Sequence, residues 1–104
     1  MFSFFNKTSI NGSELQQKLT LNPEIIDVRE KSEFQTGHIP GTKNIPLSKI
    51  SAYSLKGDRP VYVICQSGLR SRQATKLLRK KGIQAFNVKG GMSRWSGTVR
   101  GGKL

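Results

Sequence analysis

The chain has 104 residues, which suits one compact domain and leaves too little apolar surface for a second core. Its 18 Lys and Arg residues outnumber 6 Asp and Glu residues, and the formal charge of +12 favours anionic substrates or partners. No apolar run approaches the roughly 18 residues that span a bilayer, and a lone cysteine cannot make an internal disulfide, so we expect a cytoplasmic protein that is not integral to a membrane.

After a loose start, helical segments alternate with short strands. Ser13 can cap the first helix, and Gly82 ends the best one, in which Ala74, Leu77 and Leu78 form the apolar face. In chain order we predict a helix over 13–19, a strand over 24–28, a helical turn over 29–35, an extended piece over 43–45, a small helix over 46–50, a strand over 61–64, a helix over 71–81, a strand over 85–88 and a helical turn over 90–95.

This alternation predicts an α/β fold with a mainly parallel central sheet, because parallel neighbours need crossover helices. Ligands of such sheets bind beyond the carboxyl ends of the strands. Cys65 stands at such an end, after the apolar strand at 61–64 and before a helix.

The loop after this strand favours a reactive thiol. Gly68 permits a tight curl, so that consecutive N–H groups converge on one point, and the helix that follows adds its free N-terminal donors. Cysteines in such surroundings have pKa values between roughly 3.5 and 7.5. The alternative for Cys65 is a small buried apolar side chain, which is the usual role of a lone cysteine.

The stretch CQSGLRS (residues 65–71) resembles the active-site loop of the rhodanese (sulfurtransferase) family, whose common form is Cys-Arg-Ser-Gly-x-Arg-Ser. Three further stretches are similar to family motifs in order and spacing: IIDVRE at 25–30, GHIPGTKNIP at 37–46 and VKGGMSRW at 88–95. The resemblance covers about residues 8–97. We therefore predict a leader over 1–7, a rhodanese-like domain over 8–97 and a basic C-terminal tail over 98–104. We do not expect the apolar residues 1–5 to form a signal peptide.

The resemblance implies a sheet of about five strands flanked by helices, and sulfur transfer by Cys65. The thiolate would attack the outer sulfur of a small anionic donor such as thiosulfate, release sulfite and hold a persulfide. Cyanide, a thiol or a thioredoxin-like protein would then accept the sulfur. No metal or organic cofactor is implied, and one Cys with one His falls short of a zinc site. His38, the only histidine, is not expected to act as a base.

The details of the loop bear on the substrate. The anion-binding loop would comprise Gln66, Ser67, Gly68, Leu69, Arg70 and Ser71. Six residues from Cys65 to Arg70 favour sulfur over phosphate, since the related phosphatases and arsenate reductases have one residue more. Gln66 brings no charge where many thiosulfate-using members carry Arg, and Leu69 gives the loop an apolar edge.

Two nearby residues, Asp27 and Arg29, are expected to support the loop. For Arg70 we favour a structural pair with Asp27 over a contact with sulfite, because a carboxylate at the end of a buried strand needs a partner. Arg29 is left open between an anion contact at the entrance and a surface salt bridge. Ser67 and Ser71 are candidate donors to the persulfide, and Ser71 is equally a candidate helix cap.

Two rival functions remain open. One is a sulfur-relay carrier that takes persulfide from a partner protein, which Gln66 mildly favours; the other is a non-catalytic interaction module, against which the retained Cys65 argues. The basic helix is either a docking face for an acidic protein or RNA, or a solvated surface. We favour the solvated surface and no nucleic-acid partner, because aromatic residues do not interleave the charges, which are Arg72, Lys76, Arg79, Lys80 and Lys81.

Overall fold

The computed structural model describes residues 7–55 and 57–101, and the expectations for residues 1–6 and 102–104 lie outside this part. The strands are β1 (Ser9–Ile10), β2 (Glu24–Asp27), β3 (Lys43–Asn44), β4 (Val61–Ile64) and β5 (Ala85–Val88). The α-helices are α1 (Gly12–Lys18), α2 (Lys31–Thr36) and α3 (Leu69–Lys80), and 3-10 helices cover Leu19–Leu21, Leu47–Ala52 and Gly91–Arg94. Within the described residues, none of these helices combines the length and apolarity that a bilayer crossing needs.

The strands form one sheet in the order β1-β5-β4-β2-β3, and every pair of neighbours is parallel. The predicted parallel α/β fold of about five strands is thus confirmed. Parallel strands need crossovers, and the helices of the chain supply them. The register pairs Asp27 with Ile64, so the carboxyl ends of β2 and β4 lie side by side.

The core consists of two apolar layers, one on each face of the sheet. Val61 and Val63 of β4 point to the layer that α3 covers, whereas Tyr62 and Ile64 point to the layer around Leu15 of α1. All four residues of β4 are buried because helices cover both faces. Each fully buried Val, Leu or Ile side chain contributes about 1.5–3 kcal/mol, so these layers hold the helices against the sheet.

The structure corrects several predicted elements at the first helix and strand. No strand was predicted at β1, since residues 1–9 were expected to be loose; Ser9 and Ile10 form a strand by pairing with β5. Asn11, not Ser13, caps α1: its side chain accepts from the Glu14 N–H, while the Glu14 carboxylate accepts from the Asn11 N–H.

The best helix also differs from its prediction. α3 begins at Leu69 rather than at Ser71, because Gly68 turns the chain into the helix two residues earlier. Ser71 is therefore inside the helix and does not cap it. Ala74 and Leu78 are buried as expected, but Leu77 is 40% exposed. Gly82 follows the helix with a left-handed φ of 87°, as predicted.

Candidate active site

The loop after β4 wraps around the side chain of Cys65. The strand ends at Ile64, and α3 begins only four residues after Cys65. Gly68 makes the turn with φ of 106°, a left-handed conformation that side chains disfavour. A Cβ atom at Gly68 would also lie 3.3 Å from the backbone nitrogen of Gly90. Glycine is therefore needed at this position both for its backbone angle and for space.

Several donors converge on the Cys65 sulfur. The backbone N–H of Gly68 donates to Sγ over 3.0 Å and that of Ser71 over 3.3 Å. The Ser67 N–H and the Ser71 hydroxyl, whose oxygen lies 3.3 Å from Sγ, complete the set. The Cys65 side chain is fully buried. Burial by itself raises the pKa of the Cys65 thiol, but the hydrogen bonds from Ser71, Gly68 and Ser67 outweigh it and hold the pKa below its ordinary value.

The Ser71 hydroxyl links Cys65 to a residue that the sequence did not single out. Besides the sulfur, its other neighbour is Oδ1 of Asn87 in β5, to which it donates a short hydrogen bond. A hydroxyl has one hydrogen, so Ser71 serves either Asn87 or the sulfur at a given moment. Asn87 is a polar residue in an otherwise apolar strand, and this contrast was the signal in the sequence.

The 3-10 helix Gly91–Arg94 packs against the active-site loop and donates hydrogen bonds to its carbonyl groups. Met92 N–H donates to the Cys65 carbonyl over 2.8 Å, and Ser93 N–H donates to the Gln66 carbonyl over 2.9 Å. This approach requires glycine at position 91, where a Cβ atom would lie 2.7 Å from the Gln66 oxygen. The double glycine at 90–91 thus fixes the carbonyls of the loop, which leaves its N–H groups directed at the sulfur.

Arg70 pairs with Glu33, and the predicted pair with Asp27 is wrong. Its guanidinium donates to both Glu33 oxygens, Nη1 to Oε1 over 2.7 Å and Nη2 to Oε2 over 2.9 Å. These bonds lower the pKa of the Glu33 carboxyl to about 2, although partial burial acts against them. The pair joins the start of α3 to α2. Glu33 thereby binds a guanidinium that also lies close enough to Cys65 for their charges to interact.

Asp27 has its partner two residues away, in Arg29. Arg29 Nη2 donates to Asp27 Oδ2 over 2.8 Å, and Nε lies 3.1 Å from both carboxylate oxygens. Both side chains are buried, so the local salt bridge of Arg29 lies inside the protein rather than at the surface, and an anion contact by Arg29 stays a prediction. Arg29 also donates to the Gly37 carbonyl over 2.7 Å. The sequence alone did not indicate this pair. The two residues meet because β2 ends at Asp27 and the chain then bends, so that the Arg29 N–H and guanidinium both reach back to the carboxylate.

The exposed side chains of the loop differ in how firmly they are held. Gln66 accepts from Arg29 Nη1 over 3.4 Å and donates to the Ser93 hydroxyl over 3.2 Å, so its amide lies between two neighbours. Ser67 is exposed, and Leu69 is 69% exposed, so it does not pack against the core. The Arg29–Gln66 contact joins the buried Asp27–Arg29 pair to the loop, and the supporting role of this pair stays a prediction.

His38 and Trp95 have structural surroundings. The His38 ring stacks on Phe34 with centroids 3.7 Å apart, and its Nδ1 is 2.8 Å from the Phe34 carbonyl oxygen. The backbone of His38 pairs with Arg100 in an antiparallel bridge. Trp95 packs against the apolar layer around Leu15, and its Nε1 donates to the Thr98 carbonyl. These contacts give both residues a structural role, and the absence of a catalytic role for His38 stays a prediction.

A family model for the rhodanese-like domain matches residues 11–98 of the chain. Three proteins of Bacillus subtilis are similar to the chain. The uncharacterized protein YqhL is 43% identical over 83 residues, which cover 77% of this chain and 66% of YqhL. The putative sulfur carrier protein YrkF is 41% identical, with 70% of this chain and 41% of YrkF covered. The putative sulfurtransferase YtwF is 35% identical, with 88% and 92% covered.

The match thus spans less than two thirds of YqhL and of YrkF, and nearly all of YtwF. Among solved structures, a rhodanese-like domain protein from Staphylococcus aureus superposes with a TM-score of 0.84 at 34% identity, covering 92% of this chain and 99% of that one.

Proposed function

The chain belongs to the rhodanese-like sulfurtransferase family, and from this premise we propose that it transfers a sulfane sulfur through a persulfide on Cys65. The donor is a small anion such as thiosulfate, and the acceptor is cyanide in an assay or a thiol, free or on a thioredoxin-like protein. The single observation that carries the proposal is the convergence of the Gly68, Ser71 and Ser67 donors on a buried sulfur, which favours the anionic form of that sulfur.

The first step forms the persulfide. The Cys65 thiolate attacks the outer sulfur of thiosulfate, the sulfur–sulfur bond of the donor breaks, and sulfite leaves with the bonding electron pair. The negative charge then sits on the terminal sulfur of Cys65, about 2 Å further out. The donors around Sγ stabilise charge before and after the step, as an oxyanion hole does for an acyl intermediate.

The second step returns the enzyme to its starting state. A nucleophile such as cyanide attacks the terminal sulfur, and Cys65 leaves as the thiolate, so the acceptor gains one sulfur atom and no external oxidant or reductant is needed. A thiolate that the loop stabilises is also a better leaving group, because a lower pKa favours departure. The same hydrogen bonds therefore assist both halves of the reaction.

A second candidate function is a sulfur relay, in which a partner protein supplies the persulfide. Two features support it: Gln66 brings no cation to the loop, and the Arg70 guanidinium is bound to Glu33, so fewer free charges await a small dianion. The similarity to a protein named as a putative sulfur carrier points the same way. The relay uses the same Cys65 chemistry and differs only in the donor.

A donor comparison tests the proposal. Thiocyanate formation from cyanide is measured with thiosulfate and, separately, with a persulfide-loaded cysteine desulfurase, for the wild type and Cys65→Ser. Turnover from thiosulfate that needs Cys65 supports the enzyme, whereas turnover only from the protein donor supports the relay. Absence of Cys65-dependent turnover from both donors would overturn sulfur transfer and leave the non-catalytic module.

A further inference from the structure

A basic groove lies between α3 and β5, behind the active-site loop. Its cavity has a volume of about 340 Å³. Four cationic side chains line it: Arg72, Lys76, Arg79 and Lys89. We call this cavity the basic groove. Its volume is at the lower end of the range for small-molecule sites, which is about 300–1,000 Å³.

The cations of the basic groove form no close ion pair among the described residues, although Lys89 acts on the Glu14 carboxylate from a distance. None of the five ion pairs among the described residues includes any of the four groove cations. Arg79 is held in place by neutral groups instead: its Nε donates to the Ala85 carbonyl over 2.7 Å, and its guanidinium lies over the Phe86 ring, 5.2 Å from the centroid. A fixed guanidinium without a carboxylate is suited to bind an anion.

Asn87 gives the basic groove a floor with free donors. The residue is 6% exposed, and its Oδ1 is occupied by the Ser71 hydroxyl. Its Nδ2, which carries two hydrogens, has no hydrogen-bond partner among the described residues, and Asn87 lines the cavity. This nitrogen is not one of the buried unpaired atoms among the described residues, so it is accessible from the cavity and free to donate to a ligand there. The Asn87 amide therefore adds a neutral donor to the four cations of the groove.

We propose that the basic groove binds a small molecule that carries two or more phosphate groups, with Asn87 Nδ2 as its central donor. Arg72, Lys76 and Arg79 follow the spacing i, i+4 and i+7, so they lie on one face of α3 and extend over about 10 Å. This row of three cations is longer than a single phosphate group, and its length matches a diphosphate. All the groups that carry the site are donors, which fits an acceptor-only ligand.

The proposed site is linked to Cys65 through Ser71. An acceptor at Nδ2 holds the Asn87 amide with Oδ1 toward Ser71, and this keeps the single Ser71 hydrogen away from the sulfur. Occupation of the basic groove therefore disfavours the thiolate. The proposed sulfur transfer is not required for binding, so failure of one leaves the other open.

Two variants with the same change in net charge test the site. Asn87→Asp and Lys80→Gln each lower the net charge by one, but Lys80 is exposed on α3 outside the groove. Inorganic pyrophosphate is titrated by calorimetry at physiological ionic strength, with orthophosphate and a short RNA as comparisons. We expect pyrophosphate to bind more tightly than orthophosphate, Asn87→Asp to lose about tenfold or more in affinity, and Lys80→Gln to lose less than about twofold.

Equal losses of pyrophosphate affinity in Asn87→Asp and Lys80→Gln would overturn the proposal. Binding of RNA without binding of pyrophosphate would overturn it as well, since both results describe a diffuse basic surface. Lys76→Gln gives a second test if Asn87→Asp does not fold, with a severalfold loss expected against Lys80→Gln. Alkylation of Cys65 by iodoacetamide reports the link, and saturating pyrophosphate should slow it. Binding with an unchanged alkylation rate would overturn the link to Cys65.

Discussion

Arg70 and Glu33 form a two-pronged ion pair that joins the start of α3 to α2, with separations of 2.7 and 2.9 Å. The pair is partly exposed, with about a third of each side chain accessible to solvent. The pair holds Arg70, the last residue of the loop at 65–70, in place without a contact to the buried Asp27. The loop therefore rests on two separate ion pairs, Arg70–Glu33 outside and Arg29–Asp27 inside.

Glu33→Gln should remove a pH-dependent part of the stability. The pKa of Glu33 is lowered from 4.5 to about 2 by the Arg70 hydrogen bonds, so the carboxylate stabilises the fold above pH 4.5 and loses this effect as the pH falls toward 2. Glutamine keeps an oxygen for the Glu30 N–H but has no charge. We expect a loss of less than about 1 kcal/mol at neutral pH, because exposed pairs are screened.

Guanidinium unfolding of the wild type and Glu33→Gln at several pH values measures this difference, which should shrink between pH 4.5 and about 2. Asp58→Asn is the control, since Asp58 is exposed and forms no ion pair among the described residues. A difference that stays constant over this pH range would contradict the role assigned to the Glu33 charge.

Arg29→Met should destabilise the protein strongly. It leaves the fully buried Asp27 carboxylate without its guanidinium partner, and breaking a buried pair in this way costs about 3–5 kcal/mol. Arg59→Met is the matched control, because its partner Glu24 keeps donors from Lys43 and Tyr53. Urea unfolding should show a small loss for Arg59→Met, and equal losses for both variants would refute this account of Asp27.

Gly91→Ala should cost more stability than Gly82→Ala. Both glycines have a positive φ, 54° and 87°, so both variants carry the backbone strain of about 1–2 kcal/mol. Only at Gly91 does the new Cβ meet the carbonyl oxygens of Cys65 and Gln66, whereas nothing lies within 4 Å at Gly82. Thermal unfolding should separate the two variants, and Gly91→Ala should also slow alkylation of Cys65. Similar melting temperatures would show that the loop yields without cost.

Ser71→Ala should raise the pKa of Cys65. When the Ser71 hydroxyl turns from Asn87 to the sulfur, it donates a hydrogen bond that favours the thiolate, and a hydrogen bond to a charged group is worth about 1.5–3 kcal/mol, or about one to two pKa units. Ser67→Ala keeps its backbone N–H, so we expect little change. The rate of iodoacetamide alkylation against pH gives both values. The prediction fails if the two variants titrate alike.

The sequence predicted the parts of the fold that depend on local pattern. The apolar runs at Val61–Ile64 and Ala85–Val88 gave strands with the observed bounds, and Gly68 with Cys65 indicated a curled loop. The family motifs added the number of strands, about five, whereas their order in the sheet comes from the structure. Patterns of this kind are visible because burial on both faces leaves a continuous apolar run.

The remaining features depend on contacts between residues far apart in the chain. The sequence does not show whether Arg70 pairs with Asp27 or with Glu33, because only the position of α2 places Glu33 beside it. Asn87 meets Ser71 because β5 packs against α3, which no spacing in the sequence reveals. β1 has two residues and exists through its pairing with β5. Side-chain partners and short edge strands are set by tertiary packing rather than by local preference.

The most direct test of sulfur transfer at Cys65 is a single turnover without an acceptor. The protein is mixed with excess thiosulfate, released sulfite is quantified, and the peptide that carries Cys65 is analysed by mass spectrometry. We predict one sulfur atom gained on Cys65 for each sulfite released, and no gain in Cys65→Ser. Sulfite release without added mass on Cys65, or an unmodified Cys65 with thiosulfate and with a persulfide-loaded protein alike, would contradict the account.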